Sequence, residues 1–330
     1  MLNESADLSV GLIGCGRWGR NIARTLASIG VLRVIADPAT EALAPLAQEL
    51  GADLVASVDE LLSRPEIEAV AIAAPAGDHA RLIMSAIAAG KHVFVEKPLA
   101  LSLEDAAACA DAAAKAGRVL MVGHLLQYHP AFVRLTELVE AHAIGELRHI
   151  VSNRLNPGAI RTEENALWSF APHDFSMVLR LTRAQPTTVS GVAARMVDPA
   201  IPDQYAILMR FNDRLTAQVN VSWVAPQKEH KLVVLGTTGA LVFEDTAVDP
   251  ARKLLLFRNY VEMDKGGPRF VKGPGEPVEF SSDQPLLREM RCFVDAVRGR
   301  TVPPTGPDEA IAVLRLLHTA ERASSSSSGA

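Results

Sequence analysis

Cysteine is scarce, long apolar runs are missing and positive charge is not in excess, and each absence removes a class of protein. The three cysteines, Cys15, Cys109 and Cys292, are far apart and form no Cys-x-x-Cys pair. A disulfide scaffold or zinc module is therefore not expected, and a reducing compartment fits. No run of about 18 or more apolar residues occurs, so no membrane span is expected. Residues 1–7 carry neither a basic n-region nor a long apolar core, so no signal peptide is expected and the location predicted is cytoplasmic. The formal net charge of −5 does not suggest a nucleic-acid binder, which would usually carry a basic face. An anionic small ligand would have to be held by a local cluster of cations.

The chain does have ample core material. Hydrophobic residues make up 48% and charged residues 22%, the balance of a soluble globular protein, and 330 residues suit two domains better than one. Five short apolar runs, at 10–13, 32–36, 69–73, 92–95 and 119–122, alternate with helical patterns at 17–29, 78–89 and 102–116. Runs this short and this rich in Val and Ile suit strands buried on both faces of a parallel sheet. Gly30, Gly51, Gly90 and Gly117 stand where helices should stop, and Ser102 with Asp105 resembles a capped helix start. The alternation predicts a doubly wound α/β domain over residues 1–123.

Beyond Gly123 the pattern changes. A helix is predicted near 130–141. Longer strand-like runs follow at 147–155, 187–196, 204–211, 215–224, 230–236 and 240–244, several separated by short polar turns. They predict an open, mainly antiparallel sheet. Helices are expected at 172–181, 285–297 and 307–321. Residues 124–322 are thus read as one α+β domain for substrate binding and oligomerisation, and the Ser-rich 323–330 as a flexible tail. No internal repeats are found.

Gly14-Cys15-Gly16-Arg17-Trp18-Gly19 follows the first strand and opens the first helix. By itself the pattern is also that of a plain tight turn. In this context the glycines permit a sharp turn, close approach to a pyrophosphate and tight helix–strand packing, while the helix N-terminus offers N–H groups to the phosphates. Asp37 ends the second strand, 21 residues after Gly16. A carboxylate there can accept from both ribose hydroxyls and repel a 2′-phosphate, which favours NAD over NADP. Before Pro38 it also suits an ordinary turn. The domain therefore reads as a Rossmann domain that binds NAD. Arg17 and Trp18 of the turn are expected at the cofactor with the glycines. Ala74, Pro75 and His79 follow the strand at 69–73, and ligands of this fold gather at the carboxyl ends of strands. They should flank the nicotinamide half, although His79 would also suit a solvent-facing helix start.

Glu96-Lys97-Pro98 follows the strand at 92–95. Glu96 and Lys97 should border the nicotinamide, and Lys97 could donate a hydrogen bond to a substrate hydroxyl oxygen and help move its proton. At this point the chain resembles the glucose–fructose oxidoreductase / inositol dehydrogenase (Gfo/Idh/MocA) family over nearly its whole length. The glycine fingerprint, the Ala74-Pro75…His79 loop, Glu96-Lys97-Pro98, His173-Asp174 and Glu289…Phe293 carry the resemblance. It implies a catalytic role for Lys97. Ser169 stands where the family usually has an Asp four residues before its second-domain His, which leaves His173 as the general base, a role a neutral imidazole suits. His173 would equally suit capping or packing of the helix expected from Pro172.

Residues 16–21, 123–132 and 153–174 resemble a branch of this family that oxidises C3 of UDP-N-acetylhexosamines, UDP-N-acetylglucosamine first among them. The resemblance implies a 3-keto nucleotide sugar as product, a following aminotransferase, lipid A or polysaccharide synthesis, and a homodimer or homotetramer. Gln127 and Tyr128 are expected at the substrate with Lys97 and His173. Arg154 and Arg161 could meet phosphate charge, Asn156 and Asn165 hydroxyl or amide groups, and Trp168 could stack on a ring. A polar crossover loop whose arginines make surface salt bridges fits the same residues. A UDP-N-acetylglucosaminuronate dehydrogenase is a rival reading, and a non-catalytic NAD-binding regulator a more distant one. His124, His129, His142 and His149 match no zinc or iron spacing, and no metal is expected.

Overall fold

The computed structural model describes residues 8–158, 160–162, 164–258 and 260–325, and the chain divides into two compact units. The first contains a six-stranded, wholly parallel sheet. Its strands are β1 (Val10–Ile13), β2 (Leu32–Ala36), β3 (Asp53–Val55), β4 (Ala69–Ile72), β5 (His92–Glu96) and β6 (Leu120–Gly123), in the order β3-β2-β1-β4-β5-β6. Helices α1 (Gly19–Ser28), α2 (Thr40–Leu50), α3 (Val58–Leu62), α4 (His79–Ala88) and α5 (Leu103–Lys115) connect them. Ser102 caps α5, accepting from the Asp105 N–H at 3.0 Å. β1 and β4 are buried at every position, as strands covered on both faces must be. Three-residue β3 at the sheet edge is too short to carry a pattern, and it is absent from the five apolar runs.

The second unit holds helices α6 (Pro130–Glu140) and α7 (Ala166–Thr182) and a further sheet. Its strands are β7 (Leu147–Pro157), β8 (Thr188–Ala194), β9 (Gln204–Arg210), β10 (Thr216–Ser222), β11 (Val224–Gly236), β12 (Ala240–Glu244) and β13 (Leu254–Phe257). A small hairpin of β14 (Tyr260–Asp264) and β15 (Gly267–Val271) stands apart, and β16 (Gly275–Pro277) closes one sheet edge. The order is β16-β13-β12-β11-β7-β10-β9-β8, antiparallel throughout except for β7 beside β10. Register lines up one buried row across six strands: Ile207, Val219, Ser152, Leu232, Phe243 and Leu254. α7 covers this face around β10 and β7. The opposite face carries Val192, Leu208 and Leu235, all exposed.

Two expectations are corrected here. α7 starts at Ala166 and not at Pro172, because Asn165 caps it, its side-chain oxygen accepting from the N–H of Leu167 and Trp168 at 3.0 and 3.2 Å. Pro172 is an interior residue of this helix. The span 124–322 is also not one domain. Residues 283–314, with helix α8 (Pro285–Val297), belong to the first unit together with 124–128, and the second unit takes 129–282 and 315 onward. The reason is apolar burial: Met290, Phe293 and Val294 of α8 join the core of Leu12, Ile22 and Phe94, the Phe94 and Phe293 rings lying 5.9 Å apart. In the expected tail, Ala323, Ser324 and Ser325 continue helix α9 (Pro307–Ser325), and 326–330 lie outside the described residues. Among the described residues no helix is long and apolar enough to cross a membrane.

If α8 is a core element of the first unit, Phe293→Ala should lower stability by about 3–5 kcal/mol. In urea unfolding followed by the loss of NAD binding, the midpoint should fall. An unchanged midpoint would contradict the assignment of α8 to this core.

Candidate active site

The glycine turn of the first unit assigns a distinct physical role to each glycine. Gly14 has φ +84°, and a Cβ there would lie 2.8 Å from the Ala73 carbonyl oxygen. At Gly19 a Cβ would meet the Gly14 carbonyl oxygen at 2.3 Å, so only glycine lets α1 come this close to β1. Gly16 faces open space, with nothing within 4 Å of its Cβ position. No side chain caps the start of α1, and its first turn holds no acidic residue. A bare backbone next to a helix N-terminus is the cradle a pyrophosphate requires, and the residues present fit a dinucleotide.

Asp37 stands half-buried after β2 and faces the same turn. One carboxylate oxygen accepts from the Cys15 N–H at 2.7 Å, the other from the Ala39 N–H at 2.9 Å. The turn role before Pro38 and the site role thus coexist: the bonds that shape the turn also aim the carboxylate. Trp18 projects from the turn, 39% exposed, and donates through its indole N–H to Glu96 at 2.5 Å. This bond ties the glycine turn to the end of β5, where Glu96 and Lys97 are both half-buried. Burial pushes the Glu96 carboxyl above its ordinary value, opposed first by the Trp18 hydrogen bond and then by Lys97 and His124 nearby.

His79 is buried and not solvent-facing. Its Nδ1 lies 2.7 Å from the Pro98 carbonyl oxygen and its Nε2 2.9 Å from that of Ala74. Burial, with Lys97 as a lesser contributor, pushes this imidazole below its ordinary value, although both carbonyls favour the proton. The ring bridges the loop after β4 to the loop after β5, which holds Ala74 and Lys97 in fixed relation. Tyr128, expected at the substrate, is instead part of the first unit's core: 5% exposed, its hydroxyl 2.7 Å from that of Thr305. Gln127 beside it is also buried.

In the second unit α7 presents His173, half-buried at the eighth of 17 helical positions and not at the helix start. The next residue, Asp174, is fully buried and accepts from the Ser152 hydroxyl at 2.6 Å and from Arg154 Nε at 2.7 Å. Arg154, read as a phosphate ligand, is therefore buried inside this unit and engaged with a carboxylate. Its guanidinium also lies 3.4 Å from His230, whose imidazole burial first and Arg154 second push down to about 4. The Ser152–Asp174–Arg154 contact anchors α7 on β7. His173 is turned about 100° from Asp174 around the helix axis, so the anchor sets its direction.

The remaining candidates separate from one another. Asn165 caps α7 and donates to Glu321, so its amide serves the helix and not a sugar. Trp168 donates to the same carboxylate at 3.0 Å and meets His318 edge-on, its rings 5.1 Å apart. The ring is half-buried, held by these two contacts within the unit. Arg161 is exposed and paired with Glu164, and Asn156 is half-buried on β7. Ala159 and Glu163 of this loop lie outside the described residues. Asp174 and Glu289 belong to motifs that carry the family resemblance, but neither is among the site residues expected from the sequence. The signal at Asp174 was a carboxylate within a mainly apolar helical stretch, which demands a buried partner or a buried proton, whereas Glu289, between Arg288 and Arg291, reads as an ordinary surface residue.

Residues 8–124 match the family model described as "Oxidoreductase family, NAD-binding Rossmann fold", and residues 132–242 that of the GFO/IDH/MocA C-terminal domain. UDP-N-acetylglucosamine 3-dehydrogenase of Acidithiobacillus ferrooxidans is 31% identical over 88% of this chain and 88% of its own. A solved structure of the enzyme of that name and organism superposes with a TM-score of 0.84, 25% identity, and coverage of 97% and 98%. Inositol 2-dehydrogenase of Rhizobium meliloti is 30% identical over 58% of this chain and 60% of its own. GenD2 from gentamicin A biosynthesis, solved with NAD, has a TM-score of 0.80 at 25% identity, covering 97% of this chain and 95% of that one.

With Asp37 oriented by two backbone N–H groups, Asp37→Ala should weaken NAD binding and relax discrimination against NADP. One acceptor and one repulsive charge are lost together. Titration calorimetry with both cofactors tests this, and a wild type that binds NADP at least as tightly as NAD would refute the role.

Proposed function

The chain belongs to the Gfo/Idh/MocA family of NAD-binding oxidoreductases, and from this premise we propose that it is an NAD-dependent sugar dehydrogenase. Its substrate is a UDP-N-acetylhexosamine, best UDP-N-acetylglucosamine, oxidised at C3 to the 3-keto nucleotide sugar. One observation carries the reading: 31% identity with UDP-N-acetylglucosamine 3-dehydrogenase across 88% of both chains. A following transaminase would consume the ketone.

NAD, which the turn over residues 14–19 and Asp37 would hold, would supply the hydride acceptor for the substrate carbon. Lys97, at the carboxyl end of β5, donates a hydrogen bond to the reacting hydroxyl oxygen. His173 takes the hydroxyl proton, and the Asp174 anchor beside it keeps the imidazole from turning away. With Arg154 engaged by Asp174, the substrate's diphosphate must be met by other groups, and Arg161 on the exposed loop is the candidate. A second reading, oxidation of a cyclitol, is favoured by the 30% identity with inositol 2-dehydrogenase over 58% of the chain. The open sheet face with Val192, Leu208 and Leu235 suits cover by a second copy of this chain as a dimer or tetramer.

Mixing protein and NAD with UDP-N-acetylglucosamine, its uronate and inositol, and following NADH absorbance, discriminates these readings. UDP-N-acetylglucosamine should be turned over fastest, and a preference for either competitor would replace it. Lys97→Ala and His173→Ala should each reduce turnover by roughly 10²–10⁴-fold. The double variant should be little worse than the worse single one, because groups that serve one proton act as a unit. Near-normal turnover in His173→Ala would remove that residue from the mechanism. Light scattering that reports a monomer at micromolar concentration would count against the oligomer.

A further inference from the structure

Glu289 is a carboxyl with no exposed surface, and neither of its oxygens has a hydrogen-bond partner among the described residues. An ionised carboxylate left in this way would cost several kcal/mol or more. Its place is set by the contact between β5 and α8. Phe94 and Glu96 point to one face of β5, being two residues apart in a strand. Glu289 and Phe293 lie on one face of α8, being four apart in a helix. The Phe94–Phe293 ring contact joins these two faces, so the same spacing turns Glu289 toward the side of Glu96, whose charge acts on it. Glu96 in turn lies over Gly123 of β6, where a Cβ would meet its Oε1 at 3.0 Å, so the carboxyl is confined from the sheet side too.

The titratable groups that face Glu289 are Glu96 from β5, Tyr128 from the 3-10 turn over Leu125–Tyr128, and Cys292 from its own helix. None of these carries a positive charge. Lys97 and His124 act on Glu96 instead, favouring its ionised form, and so does the Trp18 N–H. Two buried carboxyls that act on one another do not both ionise readily, and the surroundings decide which one keeps the charge.

We propose that Glu96 and Glu289 form a carboxyl pair that carries a single negative charge, held on Glu96, and that this charge positions Trp18 and with it the dinucleotide-binding turn, while Glu289 stays protonated. Glu96 is thus a positioning residue for the cofactor, and Glu289 the neutral acid that keeps its partner the sole charge at this point. Burial first and Glu96 second push Glu289 well above its ordinary value, in agreement with the geometry. The linkage sign follows. A carboxyl whose folded value is raised contributes stability that is complete below its ordinary value of 4.5 and lost as pH rises toward the folded value.

The experiment uses the full chain and NAD alone, without any sugar, so its outcome is independent of the proposed substrate. In Glu289→Gln the amide keeps the shape and cannot ionise. This variant should melt at or above the wild-type temperature at pH 7, with a gap that widens from pH 4.5 upward. Its infrared difference spectrum against wild type should show the loss of one protonated-carboxyl band. Glu96→Gln should weaken NAD binding roughly tenfold, as expected for loss of one charge-assisted hydrogen bond. Trp18→Phe, at a partly exposed position that the fold tolerates, should match it, and the double variant should be no weaker than either. A Glu289→Gln protein less stable than wild type at pH 7, or one with no lost carboxyl band, would overturn the neutral acid. Wild-type NAD affinity in Trp18→Phe would overturn the positioning role.

Discussion

At the cofactor end of the first unit, the backbone contact between Gly19 and the Gly14 carbonyl is the constraint from which the other features follow. It lets α1 start directly above the end of β1, and the left-handed Gly14 turns the chain there against the end of β4. Once this turn is in place, its backbone and side chains reach the neighbouring strands. The Cys15 N–H orients Asp37 beyond β2, and the Trp18 indole reaches Glu96 on β5. The ends of four parallel strands are thereby tied to six residues of chain. Any side chain at position 19 would push α1 outward and loosen every one of these contacts together.

The second unit relies on a different kind of constraint, a buried ion pair. Arg154 and Asp174 lie in a mainly apolar layer between the sheet row and α7, and two such charges are tolerated only because each satisfies the other and Ser152 satisfies the remaining oxygen. The pair fixes the rotation of α7 on the sheet more sharply than apolar packing does, since hydrogen bonds are directional and dispersion is not. It also engages one of the two arginines, Arg154 and Arg161, that the sequence offers to phosphate charge. The charge of a side chain is visible in sequence, whereas its availability depends on what faces it across the sheet.

The same distinction separates what was legible in the sequence from what was not. The parallel sheet, the glycine turn, Asp37 and the position of Lys97 after β5 could be read directly, because each is a local relation. Strand burial shows as short apolar runs, and the φ of Gly14 and the closeness of Gly19 are needed within one turn. The start of α7 was misread because Pro172 is a strong local signal, while the Asn165 cap six residues earlier depends only on a side-chain oxygen that reaches back to Leu167 and Trp168. Residues 283–314 were assigned to the wrong unit because nothing in α8 itself states which core its apolar stripe will enter; Phe94, nearly 200 positions away in sequence, decides that. His79, Tyr128, Arg154 and Trp168 are all polar or amphipathic side chains that a sequence reader places at ligands. Tertiary structure turned each toward a protein partner, to the carbonyls of Ala74 and Pro98, to Thr305, to Asp174 and to Glu321. The sequence by itself thus determined the strand order's chemistry and the cofactor turn, which rest on neighbours along the chain. Only the tertiary structure decided which polar groups remain available for a substrate, because a buried hydrogen bond forms between residues whose separation in sequence carries no trace of their contact.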